Sequence, residues 1–242
     1  SASGSMPAIA QGQQTKSLAR QTPPLGCLRQ GRSGVLCGLR LPGWLALLAW
    51  LALGQSEGQA ALAPEDWPAI DQGLGIIRQC QLPDGMIRSK GAGHAVWTVP
   101  YLGNFGAMAL LAAHALHPNT QDVRRVEQWL LWYARHQEPD GTIYDREGTL
   151  ASYPSNGRRD STDAYAATFL MAAWRYQKAL AKEPAPEITR AAGLALGAIK
   201  AVTQPDGLTL AKPDYPMKYL MDNLEVYGGL REIGRASCRE RV

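Results

Sequence analysis

Apolar residues recur with helical spacing in two kinds of segment that alternate along the chain. Segment 121–136 places its apolar residues on one face and charged residues on the other, which is typical of a helix at a protein surface. Segment 102–116 is apolar almost all round, which is typical of a buried helix. The pattern predicts surface helices at 65–79, 121–136 and 187–202, and buried helices at 102–116, 161–181 and from about 219 onward.

The triplet Pro-Asp-Gly follows each predicted surface helix. Its aspartates are Asp84, Asp140 and Asp206, which lie 56 residues (84 to 140) and 66 residues (140 to 206) apart. Proline ends a helix and Asp-Gly suits a tight turn, so these three aspartates are predicted to be structural. Each triplet is followed by a short run predicted to have β character: 86–87, 142–144 and 208–210.

A unit that recurs at this spacing indicates a repeat architecture. Each predicted unit pairs a buried inner helix with a surface outer helix, which together form an antiparallel αα-hairpin. Rows of such hairpins close into an α/α toroid or stack as a solenoid. The predicted fold class is therefore all-α, with about three αα-hairpins that form part of an (α/α)6 toroid.

The two ends of the chain differ from the repeat. Residues 44–53 are an apolar run preceded by Arg29, Arg32 and Arg40 and followed by the small-residue site 58–60, which predicts a secretory signal peptide and an exported protein, periplasmic or secreted. Ten apolar residues are too few to cross a bilayer, so no stable membrane span is expected after signal cleavage. We divide the chain into an upstream region with signal peptide (1–60), an incomplete α/α-toroid domain of about three hairpins (61–231) and an artefactual tail (232–242), and we expect the sequence to be a truncated fragment.

Charge and cysteine content exclude several classes of function. The formal charge of +4 comes from the ends, because residues 61–234 hold 17 Lys or Arg and 19 Asp or Glu, a net of −2. This balance gives no support for nucleic-acid binding. Cys80 is the one cysteine of 61–231, so no cysteine cluster for a metal is present there. We expect neither a metal nor a cofactor.

Carboxylates concentrate where the inner helices are predicted to begin. Counted from the aspartate of the preceding turn, Asn104, Asp163 and Glu225 lie 20, 23 and 19 residues on, which predicts equivalent places in the first turns of three helices. Asp160 and Asp222 lie three residues before Asp163 and Glu225. Acidic pairs at this spacing also form capping boxes, so catalysis and capping both remain open.

These turns, together with Asp160-Ser161-Thr162-Asp163 and Asp222-Asn223-Leu224-Glu225, resemble the six-hairpin glycosidase superfamily over residues 65–231. The resemblance implies a bowl for sugars at one end of the toroid, with catalytic carboxylates on the loops and helix starts that line it. Asp160, Asp163, Asp222 and Glu225 match such positions. The hypothesis is glycoside hydrolysis with Glu225 as acid and Asp163 or Asp160 as base.

Aromatic and polar residues on the same loops are predicted to contact an oligo- or polysaccharide, although the aromatic ones equally suit core filling. Basic loop residues suggest an anionic sugar. The full candidate set for substrate binding is Trp97, Tyr101, Asn104, Tyr153, Arg158, Arg159, Tyr165, Lys218, Tyr219 and Asn223.

Two other functions remain open at this stage. One is a non-catalytic module that binds carbohydrate, and the other is a polysaccharide lyase with a Tyr or His base. The turns also resemble those of terpene cyclases and protein prenyltransferases, but an Asp-rich acid motif and zinc ligands are not found in the sequence. The pattern predicts no particular oligomeric state.

Overall fold

The structure, a computed structural model, describes residues 64–90, 93, 95–180 and 183–239. The predicted export segment lies outside the described residues. Within them the chain is mostly helical, and no helix there is long and apolar enough to cross a membrane. The helices are α1 (Trp67–Cys80), α2 (Pro100–Leu116), α3 (Thr120–His136), α4 (Asp163–Leu180), α5 (Pro186–Val202) and α6 (Leu220–Arg239).

These bounds agree with the predicted helices to within two residues. Local signals explain the agreement. Pro100 and Pro186 stand at the first position of α2 and α5, where a missing N–H costs nothing. At α3, the Asn119 side chain caps the helix by accepting a hydrogen bond from the Gln121 N–H at 3.0 Å.

The inner helices α2, α4 and α6 lie side by side, and α4 occupies the middle of this row. The outer helices α3 and α5 pack against α4 from behind and against each other. The arrangement confirms the predicted fold class, in which αα-hairpins form part of a toroid.

Aromatic packing between inner and outer helices forms the centre of the core. The Tyr133 and Phe169 rings stack at 4.0 Å, and Trp129 stacks on Trp132 at 5.1 Å. Gly103 of α2 makes room for Trp129, since a Cβ atom at this position would lie 2.4 Å from the indole ring. Close approach of the two helices therefore requires glycine here.

The three Pro-Asp-Gly turns share one geometry, as predicted. In each turn the aspartate Oδ1 accepts a hydrogen bond from the backbone N–H two residues on, at 3.1 Å for Asp84, 2.9 Å for Asp140 and 3.2 Å for Asp206. The glycine that follows each aspartate has a positive φ, between 83° and 103°. The three aspartates thus shape turns, which is the predicted structural role.

The prediction of β structure directly after the turns is wrong, because the strands lie elsewhere in the loops. Residues Ile87 and Thr209 form only isolated bridges, to Gln81 and Thr203. The strands of the described residues are β1 (Ala95–Thr98) and β2 (Arg146–Thr149), which pair antiparallel with Val96 opposite Gly148. Both lie in loops that lead to inner helices, so the sheet joins the first loop to the second. The pairing is long-range, and short-range periodicity carries no signal for it.

The predicted boundary at residue 232 is not a break in the backbone, because α6 continues through Arg239. Glu232 forms an ion pair with Arg175 of α4, with Nη2 and Oε1 2.8 Å apart. The division of the chain into 1–60, 61–231 and 232–242 stays a prediction.

Candidate active site

The connectivity brings the three inner-helix starts to one end of the array. Each outer helix ends in a Pro-Asp-Gly turn, and the loop that follows returns to begin an inner helix at that same end. We call the surface formed by the starts of α2, α4 and α6 and their preceding loops the bowl face. Asp160, Asp163, Asp222 and Glu225 all lie on these loops and helix starts.

A hydrogen bond between Glu225 and Tyr101 joins α6 to α2, the two inner helices that lie on either side of α4. The Tyr101 hydroxyl donates a hydrogen bond of 2.6 Å to Glu225 Oε1, although the residues lie 124 positions apart in sequence. The Tyr101 ring also stacks on that of Tyr165 from α4, with centroids 5.8 Å apart. The α2 and α6 starts therefore meet in front of the start of α4.

The second oxygen of Glu225, Oε2, is buried and receives no hydrogen bond from the described residues. Burial raises the pKa of Glu225 above its ordinary value, the bond from Tyr101 opposes this, and the charge of Asp163 adds to it. Tyr101 thus fixes the orientation of the Glu225 carboxyl group, while Oε2 has no hydrogen-bond partner among the described residues.

Asp222 is the carboxyl group with the most perturbed environment at the bowl face. Its side chain is buried, and no other described side chain donates a hydrogen bond to it. Burial, followed by the negative charges of Asp163, Glu225 and Asp160, raises the pKa of Asp222 to about 6. Asp222 can therefore carry a proton at mildly acidic pH.

Asp163 is fully buried at the start of α4, and both of its oxygens are engaged. Oδ2 accepts a hydrogen bond of 2.6 Å from the Thr209 hydroxyl, and Oδ1 accepts one of 2.8 Å from the Ala164 N–H. Burial raises the pKa of Asp163, while these two bonds lower it. The two bonds fix the orientation of the Asp163 carboxyl group at the start of α4.

Asp160 is exposed on the loop before α4. Its backbone N–H donates to the Tyr165 hydroxyl at 3.4 Å, and that hydroxyl donates to Asp145 Oδ1 at 3.0 Å. Burial raises the pKa of Asp145. Sequence reasoning missed Asp145 because no second acidic residue lies at helical spacing from it; its place after the predicted β run was the only signal.

Asn104 and Asn223 have structural roles, because their side chains form hydrogen bonds to other segments of the protein. Asn104 is fully buried: its Nδ2 donates to Thr168 Oγ1 at 3.0 Å, and its Oδ1 accepts from Trp129 Nε1 at 3.0 Å. Asn223 Oδ1 accepts from the Thr209 N–H at 2.8 Å. The predicted equivalence of Asn104, Asp163 and Glu225 fails, because they occupy the fifth, first and sixth positions of α2, α4 and α6.

Each basic residue predicted to bind an anionic sugar forms an ion pair or a hydrogen bond with another side chain. Arg158 pairs with Glu147 at the surface, Nη2 to Oε2 3.1 Å. Arg159 donates to Thr162 Oγ1 at 3.0 Å and lies over the Tyr144 ring. Lys218 pairs with Asp206 of the third turn. They are therefore dispersed along the loops and do not form one cationic cluster.

Three candidate aromatic residues lie on the loops at the bowl face. Trp97 stands in β1 with Lys90 Nζ 5.8 Å from its ring centroid. The Tyr153 hydroxyl donates to Asp84 of the first turn. Tyr219 is exposed, with its hydroxyl 3.2 Å from that of Tyr215, a second exposed aromatic residue that the sequence analysis did not single out. Tyr219 and Tyr215 present ring surface to solvent just before α6.

Among the described residues, no group of three or more His, Cys, Asp or Glu side chains is arranged to hold a metal ion. The charges of Asp163, Glu225 and Asp160 instead lie close enough to Asp222 to raise its pKa.

Comparison with known proteins shows a likeness among solved structures. No protein-family model and no curated protein matches the chain. Among solved structures, the chain is similar to unsaturated glucuronyl hydrolase from Bacillus sp. GL1, described as responsible for the degradation of glycosaminoglycan, with a TM-score of 0.53 and 15% identity. The chain has a six-hairpin glycosidase-like fold. The match covers 68% of this chain and 48% of the hydrolase, so the chain spans about half the length of that structure.

At this identity the likeness concerns the fold alone. It confirms the resemblance inferred from the Pro-Asp-Gly turns and the inner-helix starts. In this fold the bowl face is the end of the array at which the inner helices begin, and the acidic residues described above lie there.

Proposed function

We propose that this protein is a glycoside hydrolase that cleaves an oligo- or polysaccharide by carboxylate acid–base catalysis at the bowl face. The observation that carries the proposal is the buried Asp222, whose pKa is raised to about 6 beside Glu225. Hydrolysis of a glycosidic bond needs one carboxyl group that keeps a proton and one that is ionised. Two neighbouring carboxyl groups with different environments meet that need.

In the proposed mechanism Asp222 is the acid and protonates the leaving glycosidic oxygen. Its burial and the charges around it favour the neutral form. The sequence hypothesis placed the acid at Glu225. Burial raises the pKa of Glu225 as well, but the Tyr101 hydroxyl opposes that shift and favours ionised Glu225, whereas no side-chain donor opposes the shift at Asp222, which argues for the opposite assignment.

Glu225 is then the second carboxylate, with its orientation fixed by Tyr101. Its Oε2 atom is buried and has no hydrogen-bond partner among the described residues, so Oε2 can accept a hydrogen bond from one enclosed water molecule. Asp163 has both oxygens occupied by Thr209 and Ala164. Its contribution is electrostatic, since its charge raises the pKa of Asp222 and of Glu225. Exposed Asp160 is the alternative second carboxylate, because it too acts on Asp222 through its charge.

The name of the structural neighbour suggests which substrates to try first. Oligosaccharides that end in unsaturated glucuronic acid, released from glycosaminoglycans, belong at the head of a substrate screen, followed by neutral oligosaccharides. Export of the protein remains part of this proposal, on the strength of the apolar run at 44–53.

The lyase alternative receives less support. A tyrosine base requires a lowered pKa, but burial and neighbouring carboxylates raise the pKa of Tyr101 and Tyr165, and burial and Asp84 raise that of Tyr153 to about 12. Such hydroxyl groups donate hydrogen bonds and do not abstract protons at neutral pH.

The decisive experiment compares Asp222→Asn and Glu225→Gln with Glu187→Gln, a control at the exposed start of α5. General acid–base catalysis contributes about 10²–10⁴-fold, so we expect kcat losses of about that size in the first two variants and none in the control. The kcat of the unsubstituted protein should fall above about pH 6 as Asp222 ionises.

Circular dichroism and thermal unfolding must show that all variants remain folded. Full activity in both Asp222→Asn and Glu225→Gln would overturn the assignment. Unchanged sugar binding with no hydrolysis by the unsubstituted protein would favour the carbohydrate-binding module.

A further inference from the structure

Thr209, in the loop after the third turn, joins the end of α5 to the starts of α4 and α6. The residue is buried, with 1% of its surface exposed. Its backbone forms a bridge with Thr203, which directly follows α5. Its N–H donates to Asn223 Oδ1 of α6 at 2.8 Å, and its carbonyl accepts from Asn223 Nδ2 at 3.2 Å. These contacts hold the Thr209 backbone in place and so determine which groups its hydroxyl can reach.

The Thr209 hydroxyl has one proton and two acceptor atoms within reach. Asp163 Oδ2 lies 2.6 Å away, and Asn223 Oδ1 lies 3.2 Å away and already accepts from the Thr209 N–H. Short bonds to an ionised acceptor are the stronger ones. If Asp163 were protonated and donated to Thr209, the hydroxyl proton would be left with the longer contact. The geometry therefore assigns the Thr209 proton to an ionised Asp163.

Burial alone would place a proton on Asp163 before Asp222. Asp163 is 0% exposed and Asp222 is 6% exposed, and burial disfavours the charged form of both. The donors reverse this order. Thr209 and the Ala164 N–H both donate to Asp163, whereas no other described side chain donates to Asp222. The more deeply buried carboxyl group is thus the one whose ionised form is stabilised by hydrogen bonds.

An ionised Asp163 in turn favours a proton on Asp222. Among the charges that raise the pKa of Asp222, that of Asp163 acts most strongly. The groups whose charges act on Asp222, or whose pKa its charge raises, are Asp163, Asp160, Glu225, Tyr101 and Tyr219. The two tyrosines are neutral at neutral pH, so the charges that decide where the proton lies are those of the carboxyl groups.

We propose that Thr209 is a positioning residue of the candidate active site: its hydroxyl keeps Asp163 ionised, so that Asp222 carries the proton which this cluster binds. Asn223 holds Thr209 in the position this requires. In the proposed mechanism that proton passes to the leaving glycosidic oxygen, so Thr209 decides which carboxyl group can act as the acid. The inference rests on the proposed function for its catalytic meaning, but the location of the proton can be measured without a substrate.

The first test follows the side-chain carboxyl signals of Asp163 and Asp222 by NMR while the unsubstituted protein is titrated. We expect Asp222 to bind its proton at a higher pH than Asp163. The opposite order would overturn the proposal. This measurement needs no substitution at Thr209, so it holds even where a variant fails to fold.

The second test compares Thr209→Val, which keeps the shape of the side chain without its hydroxyl, with Thr209→Ser, which keeps the hydroxyl. A hydrogen bond to a charged group shifts a protonation equilibrium by about tenfold or more. In Thr209→Val the ratio of protonated Asp222 to protonated Asp163 should therefore fall by about tenfold. Thr209→Ser should keep the ratio of the unsubstituted protein, as should Thr189→Val on the exposed side of α5.

An unchanged ratio in Thr209→Val would overturn the proposal. An equal fall in Thr209→Ser would do so as well, since the effect would then come from packing and not from the hydroxyl.

The third test is a double-mutant cycle with Asp163→Asn. Removing the charge of Asp163 should lower the pH at which Asp222 titrates, and adding Thr209→Val should lower it no further. If Thr209→Val shifts Asp222 as strongly in the Asp163→Asn background as alone, Thr209 acts by another route and the proposal fails.

Kinetics separate this inference from the proposed function. The kcat near pH 6 should fall in Thr209→Val and recover in Thr209→Ser, with KM unchanged in both, because the substitution moves a proton and removes no contact with the sugar. A protein that hydrolyses no sugar would refute the proposed function, whereas the NMR titrations would still decide the role of Thr209.

Discussion

The start of α4 and the start of α6 carry similar acidic residues in very different surroundings. Asp163 of α4, in the middle of the inner row, has both oxygens bonded. Asp222 and Glu225 of α6, at the edge, have fewer partners: Asp222 receives no hydrogen bond from other described side chains, and Glu225 Oε2 receives none from any described residue.

The difference follows from the number of neighbours. α4 is flanked by α2 and α6 and covered by α3 and α5, and donors from Ala164 and Thr209 satisfy both oxygens of Asp163. The described helix packed on α6 is α4, which leaves Asp222 buried without a side-chain donor and leaves apolar side chains of α6 exposed. A buried polar atom without a partner calls for an explanation, and a bound water molecule or ligand is one such explanation for Glu225 Oε2.

The largest effect on stability is expected for Asn104→Ala in the interior. The substitution removes the acceptor of Trp129 Nε1, which stays buried without a partner, and it leaves a cavity. We expect a loss of about 3–4 kcal/mol in the free energy of unfolding, measured by urea denaturation.

The edge counterpart is Asn223→Ala, which removes bonds to Thr209 at a partly exposed site. We expect a loss of about 1 kcal/mol there. Equal losses at Asn104 and Asn223 would show that the interior and the edge do not differ in the way described.

The next effect compares Gly141→Ala with Gly207→Ala. Both substitutions place a side chain at positive φ, a strain of about 1 kcal/mol. Only Gly141 also meets a backbone carbonyl, at Leu194, for which we add about 2 kcal/mol. Thermal unfolding of the two variants should therefore differ clearly, with Gly141→Ala the less stable; the reverse order would contradict the packing of the turns.

A smaller loss is expected for Thr209→Val. It removes the hydroxyl that donates to Asp163 Oδ2 while keeping the shape of the side chain. One unsatisfied buried oxygen costs about 1–2 kcal/mol. Because Asp163 then loses a bond that favours its ionised form, its pKa should rise, which carboxyl NMR titration can follow; Thr189→Val, on the exposed side of α5, is the control.

The smallest effect concerns pH and Asp222. Its folded pKa of about 6 lies above the ordinary value, so the folded state binds the proton more tightly and the protein loses stability as pH rises from about 4 to 6. Asp222→Asn should remove this loss and raise the Tm at pH 7.5, with little change at pH 4. A lower Tm at pH 7.5 in this variant would indicate that ionised Asp222 stabilises the fold.

Much of the fold could be predicted because its signals are local. The starts of α2 and α5 follow from Pro100 and Pro186, and the turns follow from Pro-Asp-Gly. The β1–β2 sheet could not be predicted, since it pairs residues about 50 positions apart with no alternation to mark them.

For the candidate site, too, the local features could be predicted and the long-range contacts could not. The sequence places Asp160, Asp163, Asp222 and Glu225 at the starts of inner helices. Their different surroundings depend on contacts such as that between Tyr101 and Glu225, 124 residues apart.

By itself, then, the sequence of this protein determined its helices, its turns and the presence of acidic residues where the inner helices begin. These depend on interactions within about one helical turn, which residue type and spacing specify. Only the tertiary structure decided that Asn104 is a buried brace, that Asp163 is held by Thr209 and that Asp222 titrates near pH 6. Burial and the distance between charges set these properties, and both arise only when distant segments pack together.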